Sequence, residues 1–195
     1  MIGPRRRKKV RHDEKARPEW RISKTLAKRP GLGRREVDFR PYSRLIIPSF
    51  CLDYTEFLLR EYGKEGRERF LVWAGTLKDD FAFASTIVVP PDGGGLVDAD
   101  TVSRINDHLD GRDLIPLAQI HTHPYKAFLS EIDSQMPFFA CSGFLSIIIP
   151  EFASDRLTNL ARWKIYRYLA PRNWRELSRT EIDSTVIVDD SAIVI

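Results

Sequence analysis

Cysteine and long apolar runs are both scarce in this chain of 195 residues. Its two cysteines, Cys51 and Cys141, cannot build a disulfide framework, and neither lies in a CxxC pair that would mark a thiolate metal site. Both are expected to be buried, reduced thiols. No apolar run reaches the roughly 18 residues that a membrane helix needs. The basic start, "MIGPRRRKKVRHDEK", is not followed by the apolar core of a signal peptide. Internal repeats and long low-complexity segments are also missing. These absences set aside disulfide-stapled, thiolate-zinc, membrane-spanning and repeat classes. What remains is the expectation of a cytoplasmic globular protein with no membrane partner, long enough for one domain with a real core.

Charge is unevenly spread. Residues 1–40 hold 15 Lys+Arg against 5 Asp+Glu, a net of +10, whereas the remaining 155 residues hold 16 against 22, a net of −6. A basic arm precedes an acidic body. The arm has no periodic apolar face and contains "KRPGLG", so residues 1–36 are expected to be poorly ordered when free, ahead of a domain over 37–195. Such an arm is either a solvated tail or an electrostatic contact with nucleic acid, an acidic protein or a membrane surface. Trp20 and Phe39 are its only aromatics, which does not suggest base stacking.

Within the body, "SRLIIP" (43–48) reads as a strand closed by Pro48. Ser49 can cap a helix from Phe50 to Tyr62, with Leu52, Phe57, Leu58 and Leu59 as its buried stripe and Gly63 at its end. "RFLVWAGTL" (69–77) and "FAFASTIVVP" (81–90) read as a hairpin joined by "KDD". After the loop "PPDGGGL", Asp100 or Thr101 can cap a helix to about Leu109. "DLIPLAQIHTH" is an apolar strand, followed by a helix from near Ser130 to about Cys141. "FLSIIIP" (144–150) and "RWKIYRYL" (162–169) are further strands; the second contains Trp163, Ile165, Tyr166 and Tyr168, which read as a packed strand rather than a nucleic-acid face. "NWREL" reads as helix or turn, and "STVIV" is an apolar ending. The mixed order predicts a single α/β (α+β) domain around a mostly antiparallel or mixed sheet.

Two of the four histidines fall in "IHTHPYKAFLSEID", residues 120–133. Strand residues i and i+2 share a face, so His121 and His123 project together, and Pro124 stops the strand so that both sit at its rim. Asp133 follows in the first turn of the next helix. Two imidazoles and one carboxylate suit a catalytic zinc site with its fourth position open. Taken alone, "SEID" is also a helix-capping pattern, with Ser130 as N-cap and an acidic residue three positions on. The remaining histidines, His12 in the arm and His108 on the preceding helix, read as exposed polar residues.

The stretch "HTHPYKAFLSEID" resembles the HxHP–loop–SxxD signature of the MPN/JAMM metalloproteases, and the order of elements over about 43–170 fits their fold. The resemblance implies one zinc ion bound by His121, His123 and Asp133, with Ser130 helping to stabilise an oxyanion. It also implies an upstream glutamate as general acid/base on the zinc-bound water. "ERFLVWAG" offers Glu68, seven residues before Gly75, at the family's spacing. Phe-Leu stands where the family often has Cys-Gly, and the rival Glu65 lies further from the strand. The loop between His123 and Ser130 has six residues where many members have seven.

By the same resemblance, the substrate would be a ubiquitin-like β-grasp modifier or its conjugates, cut after the modifier's C-terminus at a peptide or isopeptide bond, in the manner of bacterial members tied to ubiquitin-like conjugation or defence operons. E1- or E2-like enzymes would then be partners. Gly93, Gly94 and Gly95 fall where the family carries an insertion that contacts the modifier's tail. The rival expectation is a non-catalytic or nucleic-acid-associated MPN module that acts through the basic arm.

Overall fold

The computed structural model describes residues 39–91, 97–169 and 173–190. The arm expected over 1–36 and the glycines Gly93, Gly94 and Gly95 lie outside them.

The sheet is organised on a hairpin. β2 (Phe70–Lys78) and β3 (Phe81–Val88) pair antiparallel across Asp79 and Asp80. Asp79 takes a left-handed φ of 54°, which tight hairpin turns require and aspartate tolerates. β4 (Ile115–Thr122) lines the other side of β2, also antiparallel, with every residue but the first buried. β5 (Leu145–Ile149) runs parallel to β4, and β6 (Lys164–Leu169) and β7 (Asn173–Glu176) extend that side antiparallel. Beyond β3 lie β1 (Arg44–Pro48) and β8 (Val186–Asp189), both parallel to their neighbours. The mixed sheet therefore runs β7-β6-β5-β4-β2-β3-β1-β8.

Strand alternation divides the core between the two faces. Leu71 and Trp73 point to the side covered by α1 (Ser49–Gly63), where they meet Leu52, Leu59, Ile120 and Ile147. The Trp73 indole donates to the Thr55 hydroxyl at 2.9 Å, tying helix to strand. Phe70 and Val72 point the other way, to a smaller cluster with Phe138, Phe144 and Tyr168, against which Val102 and Ile105 of α2 (Ala99–Asp110) pack. Two short helices complete the described body: α3 (Glu131–Gln135) and α4 (Arg179–Thr185).

Two irregularities interrupt the ladders of β2. Leu117 is skipped where the β2–β4 register shifts, and its carbonyl accepts from the buried Tyr42 hydroxyl at 2.7 Å. Gly75 lies where the β2–β3 register shifts, and a Cβ there would stand 1.8 Å from the Phe83 carbonyl oxygen. Only glycine fits that approach.

Several expectations are corrected. Ser49 is the first helical residue, and the preceding Pro48 makes no side-chain cap. Phe57 is 55% exposed rather than part of the buried stripe. The cap of α2 is Asp98, whose carboxylate accepts from Thr101 N at 2.8 Å. The helix after Ser130 stops at Gln135 instead of reaching Cys141. "NWREL" contributes a strand, because its backbone completes the β6 edge, and α4 has no counterpart in the sequence reading. The cysteines are free; Cys51 is buried and Cys141 is half-buried. Among the described residues, no helix is long and apolar enough to cross a membrane.

Candidate metal centre

His121 and His123 leave β4 on one face, as the period of two requires. Their rings lie 5.0 Å apart, and both residues are buried. Backbone bonds hold the rim rigidly: His123 N donates to Ile149 O at 2.9 Å, and Phe152 N donates to His123 O at 3.0 Å. The latter contact comes from Glu151–Ala153, three consecutive non-glycine residues at φ between 52° and 58°. Left-handed backbone in such residues is strained, and strain of this kind concentrates at functional sites.

Asp133 arrives from α3. Ser130 is its N-cap and forms a full capping box: Ser130 Oγ accepts from Asp133 N at 3.2 Å, and Ser130 N donates to Asp133 Oδ2 at 2.9 Å. Because the cap engages only a lone pair of Oγ, the hydroxyl proton is not consumed by it. Asp133 Oδ2 lies 3.4 Å from His121 Nε2 and 3.5 Å from His123 Nε2. Burial alone would raise the Asp133 carboxyl. The two imidazoles facing it and the hydrogen bond from Ser130 outweigh that effect and hold the group well below the usual carboxylate range.

These residues fit a metal ion. One ligand atom from each of His121, His123 and Asp133 can be chosen so that all three lie within 4.8 Å of one another. Metal–ligand bonds of about 2.0–2.1 Å at tetrahedral angles separate ligand atoms by roughly 3.4 Å, close to the two carboxylate–imidazole distances, which are longer than ordinary hydrogen bonds. The ring nitrogens of His121 are buried without a hydrogen-bond partner, a costly state for an imidazole unless something else engages it.

Glu68 is half-buried and stands two residues before Phe70. Phe70 pairs with His121 in the antiparallel register, and Thr122 N donates to Arg69 O at 3.2 Å. The paired register ends at Phe70, and among the described residues the metal-capable group comprises His121, His123 and Asp133 without Glu68. The rival Glu65 is exposed and forms an ion pair with Arg67.

Two residues near the site escaped the sequence reading. Phe128 packs edge-on against the His123 ring at 4.8 Å while remaining 53% exposed, and so forms part of the rim. Arg69 is buried; its guanidinium lies 4.0 Å over the Tyr62 ring and donates to Pro90 O at 2.9 Å, which ties the end of β3 beside Glu68. The position of an arginine directly after the glutamate carried no local signal of either contact.

No protein-family model matches the chain. It is 32% identical to "Probable metalloprotease y4jG" of Sinorhizobium fredii over 139 residues, covering 67% of this chain and 85% of that protein. The solution structure of protein DSY2949 from Desulfitobacterium hafniense superposes with a TM-score of 0.52 over 75% of this chain and 94% of that one; at 14% identity the likeness concerns the fold alone. AF2198, a JAB1/MPN domain protein from Archaeoglobus fulgidus, aligns over 74% of this chain and 99% of that one at 17% identity, with a TM-score of 0.45. At 32% identity over two thirds of its length, this chain belongs to the family of that metalloprotease, and its convergent His-His-Asp group fits a metal-dependent hydrolase.

Proposed function

We propose that the chain is a zinc-dependent peptidase that cuts a peptide or isopeptide bond following the C-terminus of a ubiquitin-like, β-grasp modifier. The observation that carries this reading is the convergence of His121, His123 and Asp133, with Ser130 capping the aspartate's helix. In this reading His121, His123 and Asp133 hold the ion. Zinc bound there would supply Lewis acidity toward a carbonyl oxygen and bring the pKa of a water to about 7. Glu68 accepts a proton from the attacking water at its carboxylate and returns it to the leaving nitrogen. The Ser130 hydroxyl, its lone pair already engaged by Asp133 N, donates its proton toward the oxyanion as charge develops there. The Ser130 N–H keeps Asp133 Oδ2 oriented while this happens. No residue forms a covalent bond to substrate in this scheme.

The test is cleavage of a β-grasp modifier fused through its C-terminus to a reporter, with and without zinc, beside Glu68→Gln. Zinc-dependent cleavage, and a Glu68→Gln variant that keeps zinc but loses turnover by orders of magnitude, support the reading. Near-normal turnover by that variant removes Glu68 from its role. Failure to cut modifier fusions while cutting unrelated peptides removes the substrate class.

A further inference from the structure

Helix α3 is five residues long and buries none of them. A helix that short has too few internal hydrogen bonds to hold itself in water. Yet it carries Asp133 to within 3.4 and 3.5 Å of two imidazoles fixed in the sheet. The capping box orients Ser130 and Asp133 relative to each other, but does nothing to place the pair against β4. The next anchor along the chain is Phe138, whose N–H donates to the buried Gln119 side chain at 2.9 Å, with Met136 and Pro137 intervening.

Two side chains from the β6–β7 hairpin supply the missing attachment. Leu129 N, just before the cap, donates to the Tyr166 hydroxyl at 3.3 Å. The Trp174 indole N–H donates to Ser134 O, just after Asp133, at 3.1 Å. One contact grips each side of the Ser130–Asp133 unit. Both handles are themselves held. Tyr166 stands opposite Glu176 in the strand pairing, and its hydroxyl oxygen accepts from Leu129 N. The Trp174 ring packs edge-on against the buried Tyr168 at 5.0 Å. Tyr and Trp suit this task because each joins an anchored apolar ring to a single polar tip.

We propose that Tyr166 and Trp174 are positioning residues that clamp α3 to the sheet from both sides and thereby set Asp133 and Ser130 against His121 and His123. This rests on the metal-centre reading above. It also gives the Trp- and Tyr-bearing C-terminal segment a role at the site that its sequence does not disclose.

The test uses the full chain, with zinc affinity measured by competition against a chromophoric chelator and coordination read from the visible absorption of the cobalt(II) form. Tyr166→Phe keeps the ring and removes one hydrogen-bonding atom, whereas Trp174→Phe removes the indole N–H together with the five-membered ring. Each is expected to weaken zinc a few-fold and the double variant about 10-fold or more, as loss of outer partners of a metal site does, with an altered cobalt spectrum. Thr55→Val, which removes the Trp73 hydrogen bond under α1 on the opposite face, serves as a destabilised control and should leave both readings unchanged. A double variant that binds zinc as tightly as the wild type, with the same cobalt spectrum, overturns the clamp. A wild-type chain that binds neither ion overturns the metal centre and the clamp together. Should Trp174→Phe fail to fold, Tyr166→Phe, one oxygen atom fewer, carries the same decision.

Discussion

Ser130 is assigned two tasks, and a pair of substitutions separates them. Its hydroxyl oxygen caps α3 by accepting from Asp133 N, and its proton is assigned to the developing oxyanion. Ser130→Ala removes both, whereas Ser130→Gly removes the same hydroxyl but leaves a residue that caps almost as well. The backbone bond from residue 130 to Asp133 Oδ2 survives in each. As a cap, alanine in place of serine costs about 1 kcal/mol and glycine only a few tenths. Losing an oxyanion donor costs about 3–4 kcal/mol of transition-state stabilisation, roughly 10²–10³ in kcat. If both tasks are real, the two variants fall together by that larger amount and differ from each other by less than about 5-fold, since 1.4 kcal/mol is about tenfold. The assay is steady-state cleavage of the modifier–reporter fusion at saturating zinc, beside a zinc-affinity measurement for each variant. If Ser130 only caps, Ser130→Gly stays near wild-type turnover and Ser130→Ala drops at most about tenfold. That ranking would refute the oxyanion assignment while leaving the metal ligands untouched.

Further consequences can be tested without a substrate. Tyr42→Phe strands the Leu117 carbonyl at the β4 irregularity, and should lower stability to urea by about 1–3 kcal/mol; an unchanged midpoint would show that the carbonyl finds another donor. Gly75→Ala forces a Cβ against the Phe83 carbonyl oxygen, and should cost about 3 kcal/mol, the upper end for overpacking, or prevent folding; a thermal melt like the wild type's would contradict the close approach. Glu181 is held down to about 2 by the Ser178 backbone N–H, the Arg175 guanidinium and the Ser178 hydroxyl. A depressed carboxyl stabilises the fold above its unfolded pKa and loses that effect as pH falls. The stability advantage of the wild type over Glu181→Gln should therefore be constant above about pH 5 and vanish as the pH approaches 2; a pH-independent difference in urea midpoint would rule this linkage out.

Local pattern and distant contact divide this molecule cleanly. The strand period of two put His121 and His123 on one face, Pro124 ended their strand, and "SEID" announced a capping box that the fold contains in full. The hairpin was legible because its two apolar runs are separated by a few turn residues. Each of these depends on residues that interact across a few positions of chain, so the sequence by itself determined them. The tertiary structure decided the rest. "NWREL" is a strand because β6 offers an unpaired edge, and β8 exists because β1, some 140 residues earlier, offers another. Helical spacing places Phe57 in the core, yet it lies exposed because α1 turns a different stripe to the sheet. Helix α3 ends at Gln135 because the chain beyond is drawn to Gln119 and the aromatic cluster around Phe138. The distance between Asp133 and the two histidines is of this second kind. Spacing in the chain could bring the three residue types near one another, but the 3.4 and 3.5 Å separations follow from where the sheet and the β6–β7 hairpin hold a helix too short to hold itself.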